Sequence, residues 1–177
     1  MSKTAYISVD VEASGPIPGE YSMLSVGACD IANMENTFYA ELQPITQKFV
    51  PEAMKVNRLS LEKLTREGIS PLDAMQKFGS WIGGIAEGRV PIFIGFNLGF
   101  DWSFVNYYFI KYAGSNPFGI SGIDAESVWL GKKGCDWSDT AMTKIKRALH
   151  LDIAHTHNAL DDAKEQAVIF ERILEEK

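Results

Sequence analysis

The stretch that decides the fold is residues 6–15, which read YISVDVEASG. It is rich in β-branched residues and ends at a Ser-Gly-Pro turn signal, which predicts a short buried strand. Because side chains alternate between the two faces of a strand, Asp10 and Glu12 point to the same face. Two carboxylates on one face of an apolar strand repel each other unless a cation lies between them, and hard divalent cations prefer such oxygen ligands. A solvated acidic face on an edge strand is the alternative interpretation.

Length and composition are those of an ordinary globular protein. The chain has 177 residues, 46% of them hydrophobic and 23% charged, which predicts a single domain spanning residues 1–177. No run approaches the roughly 18 apolar residues of a membrane span, and residues 1–4 lack the apolar core of a signal peptide. We therefore expect a cytoplasmic protein without a membrane segment. Cys29 and Cys135 show no zinc-site pattern and are expected to be reduced structural thiols.

The net charge of −6 argues against nonspecific duplex binding by a basic surface. It does not exclude an enzyme that acts on nucleic acid, because acids clustered around metal ions are neutralised when the ions bind. A local basic rim for phosphates remains a candidate feature, and a solvated helix face explains the same residues equally well. These residues are Lys132, Lys133, Lys144, Lys146 and Arg147.

The order of predicted elements is that of an α/β protein with a mixed sheet. Apolar runs between turn signals predict five strands, over residues 6–13, 23–31, 37–42, 90–96 and 120–123. Short connections make the first three strands an antiparallel meander, with Asn33 and Asn36 bracketing its second turn. The fourth strand is apolar throughout and is expected to be buried on both faces. Helical spacing and caps predict helices that begin at residue 51 and cover residues 61–67, 70–86, 102–112, a short segment after 124, 138–149 and 158–175.

Two further groups of polar residues lie at the end of a strand and at the start of a helix, where α/β proteins often carry functional side chains. Asp101 follows a buried strand at the point where the chain enters a helix, and Asn97 is four residues earlier. Near the C-terminus, His157 precedes a helix whose first turn carries Asp161 and Asp162. The helix dipole favours acids at this position in any protein, so simple capping and a surface histidine are the alternative interpretations.

Together these motifs resemble the three motifs of the DEDD exonuclease superfamily in its His-containing branch, DEDDh. The matching residues, in family order, are Asp10 and Glu12, then Asn97 and Asp101, then His157 and Asp162. Residues 157–163, HNALDDA, resemble the family pattern His-x-Ala-Leu-x-Asp-Ala. Residues 51–57 resemble the segment that family members place over the 3′-terminal nucleotide. The resemblance extends to proofreading exonucleases and to ribonuclease T, but Ala13, Asn57 and Phe96 depart from the residues usual in proofreading subunits.

The resemblance implies a ribonuclease H-like fold, with a five-stranded mixed sheet in the order 3-2-1-4-5 flanked by helices. It also implies two Mg²⁺ or Mn²⁺ ions. Asp10 would bridge both ions, Glu12 and Asp162 would complete the first, and Asp101 would anchor the second through water. His157 would be the general base that takes a proton from the attacking water. Only the family spacing selects these residues over Asp161 and over the other histidines, His150 and His155.

The activity that the resemblance implies is hydrolysis from the 3′ end of single-stranded DNA or RNA, with release of nucleoside 5′-monophosphates. By family position, the residues that would contact the terminal nucleotide are Ala13, Val56, Asn57, Asn97 and Phe100. An aromatic side chain such as Phe100 stacks on any base, which suits cleavage without sequence preference. Some relatives act as dimers, so a homodimer is a further expectation that no residue here supports.

Two other functions are compatible with the same sequence. One is a catalytically inactive nucleic-acid-binding domain of the same fold, against which the intact set of acids and His157 argues. The other is a nucleotide phosphohydrolase, which would release inorganic phosphate from a monomer instead of mononucleotides from a polymer. No Gly-x-Ser-x-Gly motif supports serine hydrolase chemistry.

Overall fold

The computed structural model describes residues 3–176. Met1, Ser2 and Lys177, which the predicted domain includes, lie outside the described residues. The strands are β1 (Thr4–Ala13), β2 (Met23–Asp30), β3 (Asn33–Glu41), β4 (Val90–Gly95) and β5 (Gly122–Asp124). The α-helices are α1 (Pro51–Asn57), α2 (Leu61–Glu67), α3 (Pro71–Ala86), α4 (Leu98–Tyr108), α5 (Ala125–Lys133), α6 (Met142–Ala148) and α7 (Ala159–Glu175). Within residues 3–176, none of the helices combines the length and the hydropathy that crossing a bilayer requires.

The five strands form one mixed sheet in the order β3-β2-β1-β4-β5, as predicted. β1 lies at its centre, antiparallel to β2 and parallel to β4, while β3 and β5 form the two edges. The antiparallel meander of the first three strands is confirmed. The sheet therefore places the paired acids of β1 on its central strand.

The turn between β2 and β3 differs from the prediction. It comprises only Ile31 and Ala32, since Asp30 already pairs with Asn33 across the hairpin. The carboxylate of Asp30 accepts a hydrogen bond of 3.0 Å from the backbone N–H of Ala32 and so closes the turn locally. Asn33 and Asn36 consequently lie within β3 and do not bracket the turn.

Two predictions around β4 are also wrong. α4 begins at Leu98, four residues before the predicted start at Trp102, because Asn97 adopts a left-handed conformation (φ 58°) that turns the chain directly from β4 into the helix. β4 is not buried throughout. Val90 is 58% exposed, because β5 pairs only with residues 93–95 and leaves the first half of β4 at the edge of the sheet.

The predicted helix over residues 138–149 is divided into two pieces. A short 3₁₀ turn spans Trp137–Asp139, and α6 begins only at Met142. The carboxylate of Asp136 accepts a backbone N–H of the turn, and the hydroxyl of Thr140 donates to the Trp137 carbonyl. These local side-chain bonds close the turn and separate it from the helix that follows.

Helices cover both faces of the sheet. Ile7, Val9 and Val11 of β1 belong to a hydrophobic cluster that includes residues of α3 and α4. Tyr6, on the opposite face of β1, packs against a second cluster that includes residues of α5, α6 and α7. Since alternate residues share a face, Asp10 and Glu12 lie on the side of β1 that α7 covers.

Gly27 of β2 allows the first turn of α7 to approach the sheet closely. It pairs with Asp10 across β1 and β2, and a Cβ atom at this position would lie 2.2 Å from the backbone carbonyl carbon of Ala159. We expect Gly27→Ala to destabilise the protein by about 1–3 kcal/mol, because the start of α7 would have to move away from the sheet.

Urea unfolding measures this effect, and Gly83→Ala in α3 is the control. Apart from the neighbouring residues of its own helix, no atom lies within 4 Å of the Cβ position at Gly83, so alanine there is expected to stabilise the helix by about 0.5–1 kcal/mol. Equal unfolding midpoints for Gly27→Ala and the wild type would contradict the close approach of α7.

Candidate active site

Three of the four predicted metal-binding acids come together where β1 meets α7. A carboxylate oxygen from each of Asp10, Glu12 and Asp162 lies within 4.8 Å of the other two. The first two extend from one face of the central strand, and Asp162 lies in the first turn of α7, which packs on that face. Asp162 is 1% exposed. The structure thus brings together acids that are about 150 residues apart in sequence.

The fourth acid, Asp101, approaches from another direction. It is buried in the first turn of α4, and its Oδ1 accepts a hydrogen bond of 3.0 Å from the backbone N–H of Val11. This bond ties the start of α4 to the strand between Asp10 and Glu12. Asp101 is outside the group of three acids, but its negative charge raises the pKa of both Asp10 and Glu12.

The acids are crowded and poorly solvated. Burial raises the pKa of Asp10 well above its ordinary range, and the charges of Asp101 and Glu12 raise it further. Burial and the repulsion from Asp162 raise the pKa of Glu12 to about 8. Burial also raises the pKa of Asp101 to about 7. Carboxylates held together at such a cost are typical of a site that binds a cation.

Gln166 is a residue of the site that the sequence interpretation missed. Its amide nitrogen donates a hydrogen bond of 2.6 Å to Oδ1 of Asp10, and its amide oxygen accepts one of 3.1 Å from the backbone N–H of Phe96. The side chain is buried and thus links β1 to the end of β4. Its position four residues after Asp162, on the same side of α7, was the available signal.

His157 lies in the loop before α7 and is exposed. Its backbone is left-handed (φ 58°), and the next residue, Asn158, caps the helix by accepting N–H groups of Leu160 and Asp161. His157 belongs to a second group of potential ligands with His155 and Asp162, whose ligand atoms also lie within 4.8 Å of one another.

His155 is held by Asp162 and by Glu165, a residue that the sequence interpretation did not single out. Its Nδ1 is 2.7 Å from Oε2 of Glu165 and 3.3 Å from Oδ1 of Asp162. Glu165 also forms an ion pair with Lys146 of α6. Lys146 therefore forms a nearly buried ion pair. It differs in this from the exposed lysines of the candidate basic rim, with which the sequence analysis grouped it.

The predicted substrate residues are only partly brought together. An apolar pocket of about 320 Å³ is lined by residues that include the sequence neighbours of Glu12 and Asp101, and its lining residues are Ala13, Gly15, Pro16, Val50, Ala53 and Phe100. Two of the five predicted residues, Ala13 and Phe100, are among them. A third, Asn57, is buried, and its amide donates a hydrogen bond of 3.1 Å to the Ala13 carbonyl, which ties the end of α1 to the end of β1. Val56 is 45% exposed and Asn97 is exposed, and neither is among the residues that line the pocket.

Comparison with known proteins finds exonucleases that are similar to this chain in sequence and in fold. No model of a known protein family matches the chain. The chain is 46% identical over 172 residues to an Escherichia coli protein named 3′-5′ DNA exonuclease Cap18, covering 97% of this chain and 92% of that protein. Its fold is similar to that of the nuclease domain of 3′hExo, a DEDDh family member solved with bound rAMP, with a TM-score of 0.79, 16% identity, and coverage of 97% of this chain and 92% of that one.

A second solved structure with a similar fold is E. coli Exonuclease I in complex with a dT13 oligonucleotide. The TM-score is 0.73 with 15% identity, and the match covers 97% of this chain and 41% of that one. The ribonuclease H-like fold with the strand order 3-2-1-4-5 is thereby confirmed.

Proposed function

The chain belongs to the DEDDh family of 3′–5′ exonucleases, and from this premise we propose that it shortens single-stranded DNA from its 3′ end and releases nucleoside 5′-monophosphates. The observation that carries this proposal is the convergence of Asp10, Glu12 and Asp162, whose carboxylate oxygens lie within 4.8 Å of one another. The name of the E. coli relative favours DNA, and RNA is the alternative substrate that the experiment must include.

The acidic residues fit divalent cations. Their ligand atoms are carboxylate oxygens, which Mg²⁺ and Mn²⁺ prefer, and burial together with mutual repulsion raises the pKa of Asp10 and of Glu12. We propose that Asp10, Glu12 and Asp162 hold one ion, and that Asp10 and Asp101 hold the second. The bound ions would lower the pKa of the attacking water and stabilise the negative charge that develops on the phosphate and the leaving oxygen.

We propose His157 as the general base. Its imidazole is exposed, and one ligand atom of it lies within 4.8 Å of a carboxylate oxygen of Asp162. Imidazole is the side chain best suited to accept a proton from water near neutral pH. Gln166 supports the reaction differently, because its hydrogen bond to Asp10 keeps that carboxylate in one orientation.

The apolar pocket suits the 3′-terminal nucleotide. Ala13 lies at the end of β1, directly after Glu12, and Phe100 directly precedes Asp101, so the backbone that carries the pocket lining continues into the acidic site. Asn57 keeps the wall of the pocket together through its bond to the Ala13 carbonyl. The homodimer and the cytoplasmic location stay predictions of the sequence.

The experiment is a gel assay on DNA and RNA oligonucleotides of the same sequence, labelled at the 5′ end, with Mg²⁺, Mn²⁺ or EDTA. We expect a ladder that shortens from the 3′ end, that EDTA abolishes, and that Asp10→Ala and His157→Ala lack. Tight binding without cleavage would indicate the inactive binding domain. Release of inorganic phosphate from a mononucleotide, with the polymer intact, would indicate a phosphohydrolase.

Phe100 is expected to contribute to substrate binding by stacking. Replacing Phe100 by alanine should raise KM by about 5- to 150-fold, equivalent to about 1–3 kcal/mol for one stacked base, with a smaller change in kcat. Steady-state kinetics on a short oligonucleotide measures both constants. Phe100→Trp, which keeps the stacking surface, should retain a KM near that of the wild type, and an unchanged KM for Phe100→Ala would remove Phe100 from the substrate site.

A further inference from the structure

The second group of potential ligands differs in kind from the acidic group. His155, His157 and Asp162 each offer one ligand atom, and these atoms lie within 4.8 Å of one another. Two of the three ligands are imidazole nitrogens, and both imidazoles are exposed and accessible to an ion from solvent. Only Asp162 is shared with the acidic group.

His155 is oriented by a buried carboxylate. Its Nδ1 lies 2.7 Å from Oε2 of Glu165, whose side chain is fully buried. Lys146 pairs with the other oxygen of Glu165 and also donates to the carbonyl of Ile153, in the same loop as His155. An imidazole that donates from Nδ1 to a carboxylate keeps the lone pair on Nε2 for a metal, and this is the usual support of metal-binding histidines.

The two groups favour different ions. Oxygen-only ligands suit Mg²⁺ and Mn²⁺, whereas two imidazoles with one carboxylate are a common ligand set for Zn²⁺. We propose that His155, His157 and Asp162 form a second, overlapping binding site for Zn²⁺ or a similar transition-metal ion, and that occupation of this site inhibits the nuclease.

Inhibition follows from the shared residues. An ion bound by His157 and Asp162 withdraws the imidazole that we assign as general base and a carboxylate that the catalytic ions need. The inhibitory effect rests on the proposed function, whereas binding of the ion does not. Binding and inhibition are therefore measured separately.

Binding is tested with Co²⁺, which occupies zinc sites and absorbs visible light when imidazoles ligate it. The wild type should develop this absorption, and Zn²⁺ should abolish it by displacement. His155→Asn should weaken Co²⁺ binding by about tenfold or more. His150→Asn is the matched control, because it removes an exposed histidine outside the cluster at a left-handed position (φ 55°) that asparagine accepts.

Asp10→Asn identifies which of the two groups binds Co²⁺. This variant alters the acidic group only, so its Co²⁺ absorption should match that of the wild type. Loss of the absorption in Asp10→Asn, or equal affinities of His155→Asn and the wild type, would overturn the proposed site. Thermal unfolding of each variant without metal checks that all of them are folded.

Inhibition is tested by adding Zn²⁺ to the reaction supported by Mg²⁺. Each variant is compared with its own activity without Zn²⁺. The Zn²⁺ concentration that halves the rate should rise about tenfold or more in His155→Asn and stay unchanged in His150→Asn. Equal inhibition of both variants would overturn the inhibitory role. If the chain cleaved no nucleic acid, the proposed function would fail while the Co²⁺ result still decided the site.

Discussion

Asp162→Asn is expected to reduce exonuclease activity by at least about 10³-fold, whereas Asp161→Asn should leave it within a few-fold of the wild type. The two residues are adjacent, but only Asp162 is buried and belongs to the acidic group. Asp161 is exposed, and its carboxylate accepts a hydrogen bond of 3.3 Å from the hydroxyl of Thr156. Asparagine preserves the shape of either side chain and removes the charge that a divalent cation requires.

Single-turnover cleavage of a labelled oligonucleotide measures the difference, and calorimetric titration with Mn²⁺ shows whether it arises from metal binding. Asp162→Asn should bind Mn²⁺ more weakly, while Asp161→Asn should bind it as the wild type does. Both variants should keep the fold, because the amide oxygen of asparagine can still accept the N–H of Thr156 that Asp162 accepts at 2.9 Å. The reverse pattern of activities would mean that the family spacing has selected the wrong acid.

Glu12→Gln is expected to make the metal-free protein more stable than the wild type at pH 8. Folding raises the pKa of Glu12 from its ordinary value of 4.5 to about 8 through burial and through repulsion from Asp162 and Asp101. The folded state therefore binds more protons than the unfolded state between these two values. The contribution of Glu12 to stability is fully present below pH 4.5 and is lost as the pH rises through about 8. Glutamine does not ionise and so gains no charge as the pH rises, which means that the advantage of the variant should grow from pH 5 to pH 8.

Unfolding by urea in EDTA at pH 5, 6.5 and 8 measures this effect. Saturating Mg²⁺ should reverse it at pH 8, because we propose that all four acids hold the ions, and binding would then stabilise the wild type more than the variant. Glu62→Gln is the control, since Glu62 is an exposed residue of α2 whose side chain is 87% accessible. A constant difference between Glu12→Gln and the wild type at all three pH values would contradict the crowding of the acids.

Local chemistry explains which parts of the fold could be predicted from the sequence. Four helices begin within one residue of where the sequence predicts them. Their caps, Ser60, Ser70, Asp124 and Asn158, each accept a backbone N–H of the helix that follows. These bonds form within three residues of the cap, so a single sequence contains the information. The predictions of the turn at residues 31–32 and of one helix over residues 138–149 are wrong because the carboxylates of Asp30 and Asp136 redirect the backbone over the same short range.

The candidate site likewise has features that the sequence alone predicts and features that depend on tertiary contacts. The sequence by itself determined that Asp10 and Glu12 share a face, because this follows from the period of a strand, and family spacing selected the remaining acids. Only the tertiary structure decided that Gln166 bonds to Asp10, 156 residues away, and that Glu165 and Lys146 hold His155. These contacts depend on where α6 and α7 lie against the sheet. That placement results from the burial of the apolar faces of the two helices, which no local pattern of polar residues encodes.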